Sequence, residues 1–293
     1  MATPVGTAMT TDQIIQLALD LSGLKEIPPD SGVHLPGDKV HRILATIDCG
    51  VDDLLLARVL RCDAVLTHHP EWTASLHGWT LIARQIDQMV ECGVPVARAE
   101  AAIQRRMQSV ELNSHPRNYG RVLQAAKLLN LAFLNVHLPC DIISRRIISE
   151  KLARFQPPGS RATVADVIAA LQEIPEQKRA ATEPKIRLGG PDRLAGRVAV
   201  AMAGYTNGGV DVLRAYFEAG VGTVLMMHFP EADLKEAQEQ KLAGNLIITG
   251  HMASDSIGIN VYLDELERRG LEVIRAGGII LPPRPPVTDN AHS

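Results

Sequence analysis

Aromatic residues are scarce in this chain: four Phe, four Tyr and two Trp among 293 residues, 3% of the total. With 46% hydrophobic residues overall, a core must be built largely from Leu, Ile, Val and Ala. The four cysteines, Cys49, Cys62, Cys92 and Cys140, lie far apart with no CxxC pair. That pattern indicates neither a zinc knuckle nor a disulfide framework. Reduced thiols in a cytoplasmic protein are the expectation. Basic residues are not in excess: the net charge is −3, without the positive footprint of a nucleic-acid binder. No apolar run approaches the roughly 18 residues that suggest a membrane span. Met1 to Thr10 has neither the basic nor the long apolar region of a signal peptide. A P-loop pattern and a GxSxG motif are both missing, and no cysteine sits in a nucleophile setting. What remains is a chain long enough for one large domain or two ordinary ones, expected to bind neither nucleic acid nor membrane.

The chain does have apolar segments that stop at histidines. Ala64-Val65-Leu66 reads as a buried strand and runs into Thr67-His68-His69-Pro70-Glu71. Adjacent side chains of a regular strand point to opposite faces, so His68 and His69 can serve one site only where the strand has ended. Pro70 supplies that end, having no N–H to give to a ladder. Ligands of open α/β sheets bind beyond the carboxyl ends of the strands, and imidazole is the commonest metal-binding side chain. The pair therefore reads as half of a metal site, against the plainer alternative of a solvated loop.

Two later segments share one form, a histidine after an apolar run and an aspartate four residues on: His137 with Asp141, and His251 with Asp255. In a helix that spacing puts both side chains on one face. At a strand end the aspartate instead falls near the start of the next helix, aimed back at the strand tips. Imidazole and carboxylate converge either way. Such mixed donors suit zinc, manganese or iron rather than a thiolate-selected metal. The bland alternative makes each aspartate a helix N-cap and each histidine a packed strand end. His34, His41, His77 and His115 lie in polar or turn contexts and read as surface residues, and His292 lies in the tail.

The order of elements is α/β throughout. Thr11 or Asp12 can cap a first helix. A strand over residues 40–47, a helix from Val51 and the strand before His68 form a β-α-β unit, which implies parallel strands. A short strand at residues 94–97 and helices at 99–107 and 119–130 lead to the strand that ends at His137, with a helix from Ile142. Residues 12–155 are expected to form a first α/β lobe, 156–190 a linker and junction, 191–281 a second lobe whose last helix starts at Ile257, and 282–293 a disordered tail. The halves echo each other. Gly50-Val51-Asp52-Asp53 opens a helix before the strand ending in His68-His69-Pro70-Glu71, and Gly209-Val210-Asp211 opens a helix before the strand ending in His228-Phe229-Pro230-Glu231. The expected fold is thus two similar α/β lobes with mixed, partly parallel sheets facing a central metal-binding cleft. The echo puts His228 at the tip equivalent to His68, where it either backs the ligands or faces a substrate. The loop Thr206-Asn207-Gly208-Gly209 precedes a helix and could hold an anion on backbone N–H groups, a weak signal because such turns routinely carry glycine.

Asp48, the helix after it, and Ala64-Val65-Leu66-Thr67-His68-His69-Pro70 resemble the NIF-three-like family, many of whose members are identified as GTP cyclohydrolase 1 type 2 homologues. His137-Leu138-Pro139-Cys140-Asp141 is similar to that family's His-Thr-Asn-Leu-Asp segment, and Gly250-His251-Met252-Ala253-Ser254-Asp255 to its Gly-His-x-x-x-Glu. The likeness spans about residues 40 to 275. It implies a two-lobed α/β protein, a dinuclear metal site with ligands His68, His69, Asp141, His251 and Asp255, His137 close behind, and a ring-like homohexamer. Three departures stand out. Aspartate replaces the last glutamate, Cys140 replaces a leucine, and residues 100–130 lengthen the gap between the first two motifs. Aspartate is one methylene shorter than glutamate, about 1.5 Å, so Asp255 is expected to reach one metal and leave the second position weak.

The function that follows is a metal-dependent hydrolase acting on a small molecule, a nucleotide or phosphoester. Asp141 or Asp255 would bridge the metals, and Glu71 or His137 would carry protons. The alternative is a non-enzymatic protein that binds or delivers metal, or serves as a scaffold.

Overall fold

In a computed structural model, residues 7–157 and 159–282 are described. Most of the expected leader, nearly all of the expected tail, and Pro158 of the expected linker lie outside the described residues. The elements run α1 Thr11–Ser22, β1 Gly32–Leu35, β2 Arg42–Thr46, α2 Val51–Val59, β3 Ala64–Thr67, α3 Ala74–His77, α4 Arg84–Glu91, α5 Val96–Ser114, α6 Arg121–Leu128 and β4 Ala132–Asn135. They continue with α7 Leu138–Leu152, α8 Val164–Leu171, α9 Pro175–Arg179, β5 Lys185–Leu188, β6 Val198–Val200, α10 Gly209–Glu218, β7 Thr223–Met226, α11 Glu231–Glu239, β8 Asn245–Ile248, α12 His251–Arg268 and β9 Glu272–Arg275. Helix α1 is capped by Thr10, one residue ahead of the expected cap. The Thr10 hydroxyl accepts from Gln13 N–H, and the Gln13 carboxamide accepts from Thr10 N–H.

Two mixed sheets form, as the pattern of the sequence implies. The first has the order β1-β4-β3-β2-β9 and the second β5-β8-β7-β6. In each, one edge strand is antiparallel, β1 to β4 and β5 to β8, and the remaining pairs are parallel. Apart from β9 the two sheets have one topology, so the sequence echo corresponds to a structural repeat. Strand β9 returns from the second half to pair with β2. Within the stretch expected as the second lobe, 191–281, β9 thus pairs with the first sheet, and β5, in the expected junction, pairs with the second.

Successive strand residues feed opposite faces, as the period of two requires. Ile43 and Ala45 pack with Ile14, Tyr262 and Leu263 on one face of the first sheet, while Leu44 packs with Leu54, Ala57 and Phe133 on the other. The second sheet is covered by Ile103 and Leu213 on one face and by Ile148 and Val167 on the other. The few aromatics that are fully buried include Phe133, Tyr216 and Tyr262, and the Tyr262 hydroxyl donates to Ile14 O at 2.7 Å.

Three expected boundaries shift. The apolar run at residues 94–97 is not a strand, because Pro95 caps the 19-residue helix α5. Helix α7 begins at Leu138, with Pro139 supplying a pre-set φ in its first turn. Helix α12 begins at His251, immediately after Gly250 turns the chain at φ 93°.

Candidate metal centre

Parallel pairing brings the carboxyl ends of β3 and β4 side by side, with Thr67 opposite Asn135, and those of β7 and β8 likewise, with Met226 opposite Ile248. The histidines follow at once. His68 and His69 still donate their N–H groups to Thr46 O and Ile47 O, which carries the ladder into the turn. His137 is the N-cap residue of α7 and Asp141 lies in its first turn. His251 opens α12, with Asp255 one turn later. Helices α7 and α12 pack tightly because position 258 is glycine, where a Cβ would collide with Cys140 O. The Ser144 hydroxyl bridges the contact, accepting from Gly258 N–H and donating to Ser254 O, both at 2.8 Å.

Six side chains meet at this edge. His68 Nε2 lies 3.4 Å from Asp141 Oδ1 and 3.8 Å from Asp255 Oδ1. Asp255 Oδ2 faces His69 Nε2 at 3.4 Å and His251 Nε2 at 3.3 Å. His137 Nε2 is 3.8 Å from Asp141 Oδ2. Three donor groups have ligand atoms all within 4.8 Å of one another: His68, His69 and His137; His69, His251 and Asp255; His68, Asp141 and Asp255. Two ligands about 2.1 Å from one tetrahedral ion stand about 3.4 Å apart. The observed separations match that spacing. His68 Nε2, Asp141 Oδ1 and Asp255 Oδ2 are buried with no hydrogen-bond partner. Buried polar atoms are normally satisfied, and orphaned atoms within donor groups of this spacing fit a divalent cation. Asp255, expected to be short, turns each oxygen towards a different donor group, because α12 sits closer to α7 than a larger residue than Gly258 would permit.

The far nitrogens of three imidazoles are already committed. His68 Nδ1 bonds Val136 O at 3.0 Å, His69 Nδ1 bonds Asp48 Oδ1 at 2.7 Å, and His137 Nδ1 bonds Asp30 Oδ2 at 2.6 Å. A carbonyl or carboxylate only accepts, so each Nδ1 carries the hydrogen and each Nε2 is free to act as a ligand. Asp30 and Asp48 were not assigned roles from the sequence. Asp48 was detectable as the tip of the strand beside His69. Asp30 sits in a Pro-Pro-Asp-Ser-Gly turn that carries no local sign of its partner 107 residues away.

The electrostatics follow from burial. Asp255 is 1% exposed, and burial would raise its pKa, yet His68, His69 and His251 hold it far below the usual carboxylate range. Burial would lower His68 and His69, but Asp255 and their other carboxylate partners raise both. His251 is lowered, chiefly by burial. Hydrogen bonding from His69 lowers Asp48. Buried carboxylates such as Asp141 and Asp255 need compensating positive charge.

The cluster opens into a cleft of about 440 Å³ lined by Asp48, Glu71, Arg106, Arg117, Tyr205 and His228 among others. Burial, then Asp48, pushes Glu71 up to about 7. Adjoining the cleft is a narrower space of about 20 Å³ bordered by Asp141, Asp255 and the loop Ala201 to Asn207, roomy enough for about one water. His228 lines both spaces, and burial followed by His251 lowers its pKa to about 4. Helix α5 supplies one wall through Arg106, Ser109 and Asn113, so the segment that departs from the family pattern borders the site. Of the histidines expected at the surface, His77 and His115 are exposed. His34 is half-buried, its Nε2 bonded to Asn135 Oδ1 at 2.8 Å.

No family model matches the chain. A Pyrococcus horikoshii protein named GTP cyclohydrolase 1 type 2 homolog is 21% identical over 265 residues, covering 89% of this chain and 94% of that protein. Reduced HcgD from Methanocaldococcus jannaschii has a similar fold, with a TM-score of 0.59 at 14% identity over 92% of this chain and 98% of that one. The crystal structure of a NIF3 superfamily protein from Sphaerobacter thermophilus is far nearer, with a TM-score of 0.90 and 39% identity, covering 93% of this chain and 99% of that one. Identity at that level across nearly the whole of both chains, on top of the ordered histidine motifs, places this chain in the NIF3 superfamily.

Proposed function

We propose that the chain is a metal-dependent hydrolase acting on a nucleotide or another phosphoester, with two adjacent divalent metal positions. The observation that supports it is the placement of Asp255, whose two oxygens serve separate donor groups, beneath His69 and His251, which line an open cleft. His68, Asp141 and Asp255 would hold one ion, and His69, His251 and Asp255 the other, with zinc, manganese or iron suited to these donors. When bound, such ions supply Lewis acidity towards a phosphoryl oxygen. His137 stands between Asp30 and Asp141, and Glu71 lines the cleft near Asp48 and His69. Both would pass a proton between the substrate and solvent. Asp48 holds the His69 ring in register.

The test compares metal-loaded wild type with His69→Ala on a panel of nucleotides and phosphoesters, with and without Mn²⁺ or Zn²⁺. Metal-dependent turnover lost in the variant is the expected result. No turnover by the wild type would favour a protein that binds or delivers metal, or serves as a scaffold. The family likeness further supports a homohexamer, and analytical ultracentrifugation returning a monomer would refute that assembly.

A further inference from the structure

We propose that His228 is a fixed hydrogen-bond donor to a phosphoryl oxygen of the substrate, its Nε2–H presented to the cleft by the side chains of Asp233, Arg106 and Asn207. The choice of a phosphoryl oxygen rests on the hydrolase reading; the donor itself rests on geometry. Arg106 Nη2, from α5, donates to Asp233 Oδ2 at 2.9 Å and to Asn207 Oδ1. The same Asn207 oxygen accepts from Gly209 N–H at 3.1 Å. A guanidinium and a backbone amide only donate, so this atom must be the oxygen and the carboxamide cannot be flipped. Its Nδ2 is then a donor, and it stands 3.1 Å from His228 Nδ1. An amide nitrogen offers no lone pair. His228 Nδ1 must therefore accept, and the ring hydrogen lies on Nε2.

This arrangement is the reverse of that at His68, His69 and His137, whose Nδ1 atoms face acceptors and leave Nε2 free to bind metal. His228, at the strand tip equivalent to His68, also lies outside all three donor groups, although its ring centre is 4.7 Å from that of His251. With Nδ1 engaged, Nε2 is the nitrogen left for the cleft that the ring lines. Nε2 carries a hydrogen in both the neutral and the protonated ring, so the donor does not depend on titration. Preorganised donors beside a reacting group stabilise developing charge without reorganising.

Long-range proton–nitrogen correlation spectra of the metal-loaded protein read the tautomer, with the His228 signals identified by their loss in His228→Ala. The expected wild-type pattern has hydrogen on Nε2. Asn207→Asp, which turns the donor into an acceptor, should move it to Nδ1. Hydrogen on Nδ1 in the wild type would overturn the proposal. With inorganic phosphate as probe, His228→Ala should weaken binding about tenfold at unchanged metal content, and His228→Gln, which keeps a donor, should recover part of the loss. Loss of metal from His228→Ala, or unchanged phosphate affinity, would overturn the assignment. A metal-loaded wild type that binds no phosphate would remove both the hydrolase reading and the phosphoryl partner, while the spectra still decide whether the donor exists.

Discussion

Asp255 is a buried carboxylate surrounded by three imidazoles, and its charge rather than its size is what they answer. Asp255→Asn keeps the shape and removes the charge. It should lower affinity for Mn²⁺ or Zn²⁺ at least tenfold, on the scale lost when even an outer partner of a metal ligand is removed. Calorimetric titration of the metal-stripped protein checks this, and unchanged affinity and stoichiometry would take Asp255 out of the ligand set. Glu176 poses a simpler case away from the cluster. It is 6% exposed, its oxygen accepts from Asn260 Nδ2 at 3.0 Å, and burial raises its pKa in spite of that bond. Between its ordinary value of 4.5 and the raised folded value, the native state holds more protons than the unfolded chain. Stability from this group is therefore present below 4.5 and falls as pH rises through that window. Glu176→Gln keeps the accepting oxygen and cannot ionise. It should be more stable than wild type at pH 7 to 8, with the gap closing towards pH 4.5, as read from urea midpoints. A gap independent of pH would refute the argument. At this scale the histidine segments were legible because a strand that stops at imidazole is a local pattern. Asp30 was not, because the His137 it orients lies 107 residues along the chain, and Asn207 was not, because the Arg106 that fixes its carboxamide lies 101 residues away.

Helices α7 and α12 aim the two aspartates, and their separation is set by one missing side chain. Gly258→Ala would push the helices apart at Cys140 O, costing about 1–3 kcal/mol as overpacking does, and should loosen metal binding as well. Urea unfolding at wild-type stability would show that the contact yields without cost. The loop after β6 is held in a comparable way. Ala203 and Tyr205 have φ of 61° and 67°, a conformation that costs side chains energy. Gln85 Nε2 donates to Gly204 O at 3.0 Å and Thr206 O at 2.7 Å, and Gln88 Nε2 to Met202 O at 2.7 Å. Gln88→Ala strands a buried carbonyl and should cost about 1–3 kcal/mol. A smaller loss would mean that water replaces the amide. None of this clamp is visible in sequence, since Gln85 and Gln88 read as the polar face of an ordinary helix. The mistaken strand at residues 94–97 has a related cause. Four apolar residues fit a strand or a helix equally, and Pro95 decides for the helix only once α5 has a surface to pack on.

At the scale of the molecule, the two sheets together complete one cluster, so metal should stabilise the native state alone. At metal concentrations about a hundredfold above Kd the gain is about 2.7 kcal/mol, or roughly 5–10 °C in Tm for a chain of this size. Scanning calorimetry with and without a chelator measures it, and an unchanged Tm would argue that the cluster holds no cation tightly. Among the described residues no helix is long and apolar enough to cross a membrane, in keeping with the absence of long apolar runs. The sequence by itself determined the α/β class, the doubled β-α-β pattern and the histidines and aspartates placed after strands, because hydrophobic periodicity and chain-breaking residues act over a few neighbours. Only the tertiary structure decided that β9 returns to the first sheet, that α5 walls the cleft and that Asp255 faces both donor groups. Only there, too, does the Nε2 of His228 carry the ring hydrogen where the Nε2 of His68 is left free to bind metal. Those outcomes depend on distances between segments more than a hundred residues apart, which local propensity does not encode and packing does.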